Sequence, residues 1–182
     1  MDRPPGSPAA VEIDGVSVST DRGVQIASLR YFDHAGGFAA AVREAVGNAL
    51  PEPLRAVQAG NATQGAYLIL AWRSPTETLL LSNDRAAFDE LERQLAAVPD
   101  GCMVNQTGGI CVLRVQGEKA GDLLLRLGSA TAIPGRGEAR SGRLAELQVL
   151  TACVQAGEFL LLVERVYANH LIEWIRATVA DF

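Results

Sequence analysis

Part of this 182-residue chain occurs twice, and that limits what it can fold into more than any other feature does. The stretch Ala71–Val98 falls on Ala152–Val179 after a shift of 81 residues, with nine of 28 positions identical. These are Ala71/Ala152, Glu77/Glu158, Leu79–Leu81/Leu160–Leu162, Ala87/Ala168, Glu92/Glu173, Ala96/Ala177 and Val98/Val179. Without a gap, the same shift also carries Gly36, Ala39, Gly47, Ala49, Pro53 and Arg55 onto Gly117, Ala120, Gly128, Ala130, Pro134 and Arg136. That makes 15 identities over 63 positions, where chance in a chain so rich in Ala, Leu and Gly gives roughly five. Matched Gly and Pro mark the ends of elements, because they set backbone geometry. Two copies are too few for a solenoid, which needs about three stacked units. The duplication predicts one pseudo-symmetric domain whose halves share a core.

Taken in order, residues 1–20 form a flexible or edge-wrapping leader, with three prolines and small polar residues around VEIDGVSV. Residues 21–182 form the single duplicated domain, with halves at about 24–99 and 102–180. Val24–Phe32 reads as a strand. A helix over Phe38–Leu50 follows, with Phe38, Val42, Ala45, Val46 and Ala49 on one side and Pro51-Glu52-Pro53 at its end. A polar loop through Asn61 and Thr63 leads to a strand at Ala66–Trp72, where Trp72 is expected in the core. A turn at Arg73–Thr76 and a returning strand at Thr78–Ser82 complete a hairpin. Ser82, Asn83 or Asp84 caps a helix that buries Ala87, Phe88, Leu91, Leu95 and Val98.

The second half repeats the order. Cys102–Gln106 and Ile110–Val115 flank Thr107-Gly108-Gly109, and Gly117 starts a helix with Ala120, Leu123, Leu124 and Leu127 inward, ended by Gly128. Ala130–Arg143 reads as an irregular loop. Ala145–Val154 and Phe159–Val163 make a hairpin, and Val166–Val179 is the last helix. The scheme is β-α-β-β-α twice, an α+β fold of antiparallel sheets with packed helices.

Composition excludes more than it assigns. A hydrophobic content of 48% with 20% charged residues fits a globular chain, and no apolar run approaches the roughly 20 residues of a membrane span. MDRPPGSPAA has prolines and an acid where a signal peptide carries its apolar core, and Cys102, Cys111 and Cys153 read as buried reduced thiols. The expectation is an unsecreted, cytoplasmic protein. A net charge of -5 argues against nucleic acid. His34 and His170 lack Cys or carboxylates at metal-ligand spacing, and no P-loop, G-x-S-x-G elbow or dinucleotide fingerprint is present. Arg136, Arg140 and Arg143 share the irregular loop and could dock a carboxylate, which makes them candidates for an anion or a folate tail. On the last helix, Ala168, Leu171, Ile172, Ile175 and Val179 form the inward stripe. Tyr167, His170 and Trp174 form a second one, read either as cover for the sheet edge or as an aromatic contact with another subunit.

The run Ala71–Leu81, AWRSPTETLLL, resembles the W-L-G-P-D-E-W-L-L segment of sarcosine oxidase gamma subunits, and Leu50-Pro51 resembles their upstream leucine–proline pair. Val112–Gly117 leading into Ala120 and Leu124 is similar to their v-L-r-l-s-G-p-x-A-x-x-x-L block. Phe159–Val163 with Ala168, Leu171 and Trp174 is similar to their closing strand and helix. The resemblance runs in order from about Val24 to Ile175. It implies a fold like the folate-binding domain of glycine-cleavage aminomethyltransferases. It also implies the role of a non-catalytic structural subunit in a heterotetramer that oxidatively demethylates sarcosine to glycine, with tetrahydrofolate as the one-carbon acceptor. Flavin, NAD and tetrahydrofolate are then expected in the larger flavoprotein partner subunits and no cofactor in this chain.

Two departures accompany the resemblance. Asn105-Gln106-Thr107 stands where the family has D-x-S, and Leu147–Val154, LQVLTACV, holds no carboxylate where the aminomethyltransferases carry an acidic pair. One-carbon transfer needs a base at its site, so this chain is not expected to run it alone. The rival readings are a stand-alone folate-binding module and a subunit of a related dehydrogenase that demethylates N-methyl amino acids.

Overall fold

The computed structural model describes residues 11–13, 15–59 and 66–180. The leader's first ten residues and the loop through Asn61 and Thr63 lie outside them. The chain divides into two compact units: residues 23–108 with 137–139, and residues 1–22 with 109–136 and 140–182.

The sheet of the first unit holds β3 (Gln25–Tyr31), β4 (Ala56–Ala59), β5 (Leu68–Ser74), β6 (Glu77–Ser82) and β7 (Gly101–Asn105). Their order is β4-β5-β6-β3-β7, and neighbours run antiparallel. On it lie α1 (Gly37–Val46) and α2 (Arg85–Leu95). Alternation along β3 turns Ala27, Leu29 and Tyr31 to one face, where they meet Leu70, Leu80, Phe38, Val42 and Phe88 in one core. β6 is buried at every residue from Thr78 to Ser82, so it is covered on both faces. Asp84 caps α2 by accepting the Ala87 N–H at 3.0 Å, which stabilises a helix by about 1 kcal/mol.

The second unit's sheet runs β1 (Val11–Ile13), β2 (Val16–Thr20), β8 (Ile110–Gln116), β11 (Glu158–Glu164), β10 (Leu147–Gln155), β9 (Glu138–Leu144). Its helices are α3 (Ala120–Leu127) and α4 (Ala168–Val179). Leu123, Leu124, Leu171 and Ile175 pack on Leu113, Val115, Val149 and Leu161. The repeat is therefore β-α-β-β-β-α, one strand richer per half than the sequence reading: β3-α1-β4-β5-β6-α2, then β8-α3-β9-β10-β11-α4. Gly47 and Gly128, matched by the 81-residue shift, stand at the same place. Each donates its N–H four residues back, to Arg43 at 2.9 Å and Leu124 at 3.2 Å. Gly47 does so at φ 77, in the left-handed region where glycine costs least.

Sheet register exposes an asymmetry. Ala27 lies opposite Leu80, and Leu113 opposite Leu161. β8 thus follows β3 by 86 residues, where the hairpin follows by 81, and the five residues of difference fall in the first half at Phe32–Gly36.

Several expectations are corrected. For the described residues of the leader, the edge-wrapping reading replaces the flexible one: Val11, Val16 and Val18 are buried, and β2 pairs along β8. The loop Ala130–Arg143 is a 3-10 turn at Ala130–Ala132 followed by β9. The β9–β10 hairpin turns on Ala145 and Glu146, both at positive φ (49° and 63°) without a glycine to announce it. α1 stops at Gly47 rather than at the prolines, leaving Ala45 and Ala49 exposed, and Ala87 is exposed on α2. Trp72 is half-buried, and Cys102 is exposed rather than buried.

Thr151 on β10 faces Leu161 at the core position that Leu70 fills in the other half, and its hydroxyl is buried without a hydrogen-bond partner. Such an orphan costs about 1–3 kcal/mol. Thr151→Val keeps the shape and removes the orphan, so it should stabilise the protein by about 1 kcal/mol. An unchanged or lower urea midpoint would show that the hydroxyl is satisfied.

Candidate functional site

α4 presents its buried stripe, Ala168, Leu171, Ile172, Ile175 and Val179, to the second core. The helix proper begins at Ala168; Arg165–Tyr167 is a 3-10 turn, so Tyr167 precedes the α-helix rather than opening it. The opposite flank carries Val166 at 78%, Tyr167 at 47% and Trp174 at 46% exposure, with His170 exposed between them. The His170 and Trp174 rings stand 6.3 Å apart at 52°. The structure therefore brings His170 and Trp174 together and sets Tyr167 one turn before them. Val166, taken in the sequence only as the first residue of the last helix, extends the exposed stretch. Large apolar side chains face solvent along the flank, a feature also found at protein–protein contacts.

The three arginines are dispersed. Arg136 is exposed in the turn before β9, Arg140 half-buried on β9, and Arg143 exposed further along it. Three residues apart on a strand, Arg140 and Arg143 point to opposite faces. Arg143 meets the Glu146 carboxylate at 3.0 Å and donates to its backbone oxygen at 3.1 Å.

The duplicated glutamates open the second strand of each hairpin, and the strand beside it holds each in the same diagonal register. Ser28, opposite Leu79, donates its hydroxyl to Glu77. Arg114, opposite Leu160, donates to Glu158. Glu77 also meets Arg73 at 3.3 Å and Arg30 at 3.8 Å. Arg114 also meets Asp21, at 2.5 Å. These carboxylates tie strands together. The Tyr31 hydroxyl pairs with Thr78 at 3.0 Å, and burial pushes its phenol up. His34 Nε2 lies 3.1 Å from the Pro51 carbonyl oxygen. Burial raises the Cys111 thiol, although Arg165 pulls it down. Cys153 donates to the Gln155 carbonyl at 3.1 Å. Among the described residues, no three His, Cys, Asp or Glu gather as a metal set, and no helix is long and apolar enough to cross a membrane.

Residues 32–181 match the sarcosine oxidase, gamma subunit family. In fold, the chain is similar to a chain of the heterotetrameric sarcosine oxidase from Corynebacterium sp. U-96. The TM-score is 0.78 at 22% identity, over 92% of this chain and 85% of that one. It is also similar to the glycine cleavage system aminomethyltransferase T from Bartonella henselae. There the TM-score is 0.66 at 16% identity, over 88% of this chain and 45% of that one. No curated protein matches the sequence.

Proposed function

The chain belongs to the sarcosine oxidase gamma subunit family, and from that membership we propose that it is the structural subunit of a heterotetrameric sarcosine-oxidase-type enzyme. The observation that carries the proposal is the match over residues 32–181. In this reading the chain is cytoplasmic, carries no cofactor and does no chemistry alone. Flavin, NAD and tetrahydrofolate belong to the larger subunits, which oxidise sarcosine to glycine and pass on the one-carbon unit. Its contribution is a duplicated scaffold that presents the flank Tyr167–Trp174 to a flavoprotein subunit. The exposure of Trp174 supports this assignment, since a half-exposed indole on an otherwise packed helix is the residue type that dominates interface energetics.

Co-expression of the tagged chain with the subunits encoded beside it tests the reading. The isolated chain should be colourless and inert toward sarcosine, and the co-purified complex should carry flavin and oxidise it. Stoichiometric flavin in the isolated chain would overturn the assignment. Saturable tetrahydrofolate binding by the isolated chain, lost when Arg136, Arg140 and Arg143 are replaced, would favour the folate-module reading instead. Oxidation of another N-methyl amino acid in place of sarcosine would move the subunit to a related dehydrogenase. Trp174→Ala should leave the melting temperature of the isolated chain nearly unchanged and weaken the complex by about 2 kcal/mol or more. A sharp loss of stability without the partner would assign Trp174 to the core.

A further inference from the structure

The two sheets differ by one strand, and the difference falls on an edge. In the second unit β1 closes the sheet beside β2, with Val11 opposite Val18 and Ile13 opposite Val16. The strand in β2's place in the first unit is β7, since Met103 lies opposite Leu29 as Val18 lies opposite Val115. The chain reaches β2 from β1 but reaches β7 from α2, through Pro99 and Asp100, and none of the described residues lies along β7 as a sixth strand. Its face is covered: Phe38 packs where Gly101 has no side chain, and a Cβ there would lie 2.3 Å from its ring. Its edge is not. Asp100 accepts the Phe32 N–H at 3.4 Å, and the Gln106 N–H reaches the Ile26 carbonyl at 2.7 Å, so both bond toward β3. Alternation turns Cys102 and Val104 the same way, and the N–H and C=O of Gly101, Met103 and Asn105 outward. Among the described residues none of these outward groups has a hydrogen-bond partner. Gly101–Asn105 also lacks what guards an edge, with no charge, no proline and no shift of register. The other edges are guarded. β4 is met by Gly137–Ala139, where Ala56 donates to Gly137 at 3.0 Å and Ala139 to Leu54 at 2.9 Å. β9 carries Glu138, Arg140 and Arg143, and β1 is three residues long with Glu12 at its middle.

We propose that an extended segment of a partner protein adds to β7 as a sixth, antiparallel strand of the first sheet. The proposal rests on reading the chain as a subunit. β1 shows what the place takes: Val11 is buried and Ile13 packs on the core, while Glu12 between them is exposed. The segment therefore carries an apolar residue opposite Met103, a solvent-facing one opposite Cys102 and an apolar one opposite Gly101, without proline. Met103 is only partly buried against the first core, where Val18 is fully buried in the second, so an apolar neighbour has surface left to cover. Phe32, at 88% exposure beside Asp100, adds an aromatic surface at the same end of β7. A second copy of this chain fits less well. Pairing β7 with itself about Met103 sets Asn105, not an apolar residue, opposite Gly101.

Hydrogen exchange read amide by amide tests this. In the isolated chain the Cys102 and Val104 amides, which bond to β3, should exchange slowly, and those of Gly101 and Met103 fast. In the co-purified complex Gly101 and Met103 should slow at least tenfold. Met103→Pro removes an outward N–H at an edge position, where proline is tolerated, and should weaken association at least tenfold, while Met103→Leu binds as the wild type does. Unchanged exchange of both amides in the complex, or full binding by folded Met103→Pro, overturns the proposal; if that variant does not fold, the exchange result decides alone. Protection that rises with the concentration of the isolated chain also overturns it and assigns the edge to a second copy. If the chain binds no partner, the subunit reading fails, and a capped synthetic peptide of Ala9–Ile13 then decides what the edge takes. Titrated into the isolated chain, it should give saturable amide shifts at Gly101 and Met103, several-fold weaker when its Val11 and Ile13 are replaced by Asp. No shift, or equal shifts from both peptides, overturns the proposal.

Discussion

Leu161→Asp and Leu80→Asp should each leave little or no folded protein. Both leucines are fully buried at one position of the duplicated hairpin, in the middle of their sheets, and face the helices of their own unit. A carboxylate placed there has nothing to neutralise it. An unpaired charge of this kind costs several kcal/mol, comparable with the roughly 5–15 kcal/mol that holds a domain together. Their neighbours differ in one respect. Across the strands Leu80 meets Ala27 and Leu70, while Leu161 meets Leu113 and Thr151. The orphan hydroxyl of Thr151 can donate one hydrogen bond to the introduced carboxylate, so Leu161→Asp should be the milder of the two by about 1 kcal/mol. Soluble yield and urea midpoints would measure both. A wild-type midpoint for either variant contradicts the packing described for that half.

The duplication made much of this fold legible, because it is written in residues whose roles are local. Gly47 and Gly128 end helices, and Leu79–Leu81 and Leu160–Leu162 fill strands covered on both faces; both signals survive in sequence as composition and spacing. What stayed illegible depends on distant pairing. β2 reads as leader because its short alternation, Val16 and Val18, means little until β8 supplies an edge. β9 reads as loop because Ala145 and Glu146 adopt turn conformations that their identities do not announce. Ala45, Ala49 and Ala87 fit an inward stripe by spacing, yet alanine is equally at home on an exposed helix face, and α1 ends before Ala49. The candidate contact face was partly legible, since Tyr167, His170 and Trp174 lie off the buried stripe of α4. Phe32 was not, because an aromatic closing an apolar strand reads as core until register shows that it begins the five extra residues.

The largest effect that the sequence reading could not foresee belongs to Arg114. Its guanidinium lies between two carboxylates, Asp21 from the segment just after β2 and Glu158 from β11. The exposures of the three side chains are 21%, 15% and 16%, so the group is mostly but not wholly withdrawn from water. Arg114→Ala removes the cation that both carboxylates share, and breaking a buried pair in this way costs about 3–5 kcal/mol. Residual solvent access should place the loss toward the lower end. Replacing all three residues together by apolar ones of similar volume removes the stranded charge and should recover most of the loss, since buried ion pairs are often close to neutral against apolar replacements. The contrast separates electrostatics from packing. If the single variant loses less than about 1 kcal/mol in urea titration, the triad behaves as an exposed surface pair. If the single and triple variants lose equal stability, Arg114 matters for its methylene stem on the sheet and not for its charge.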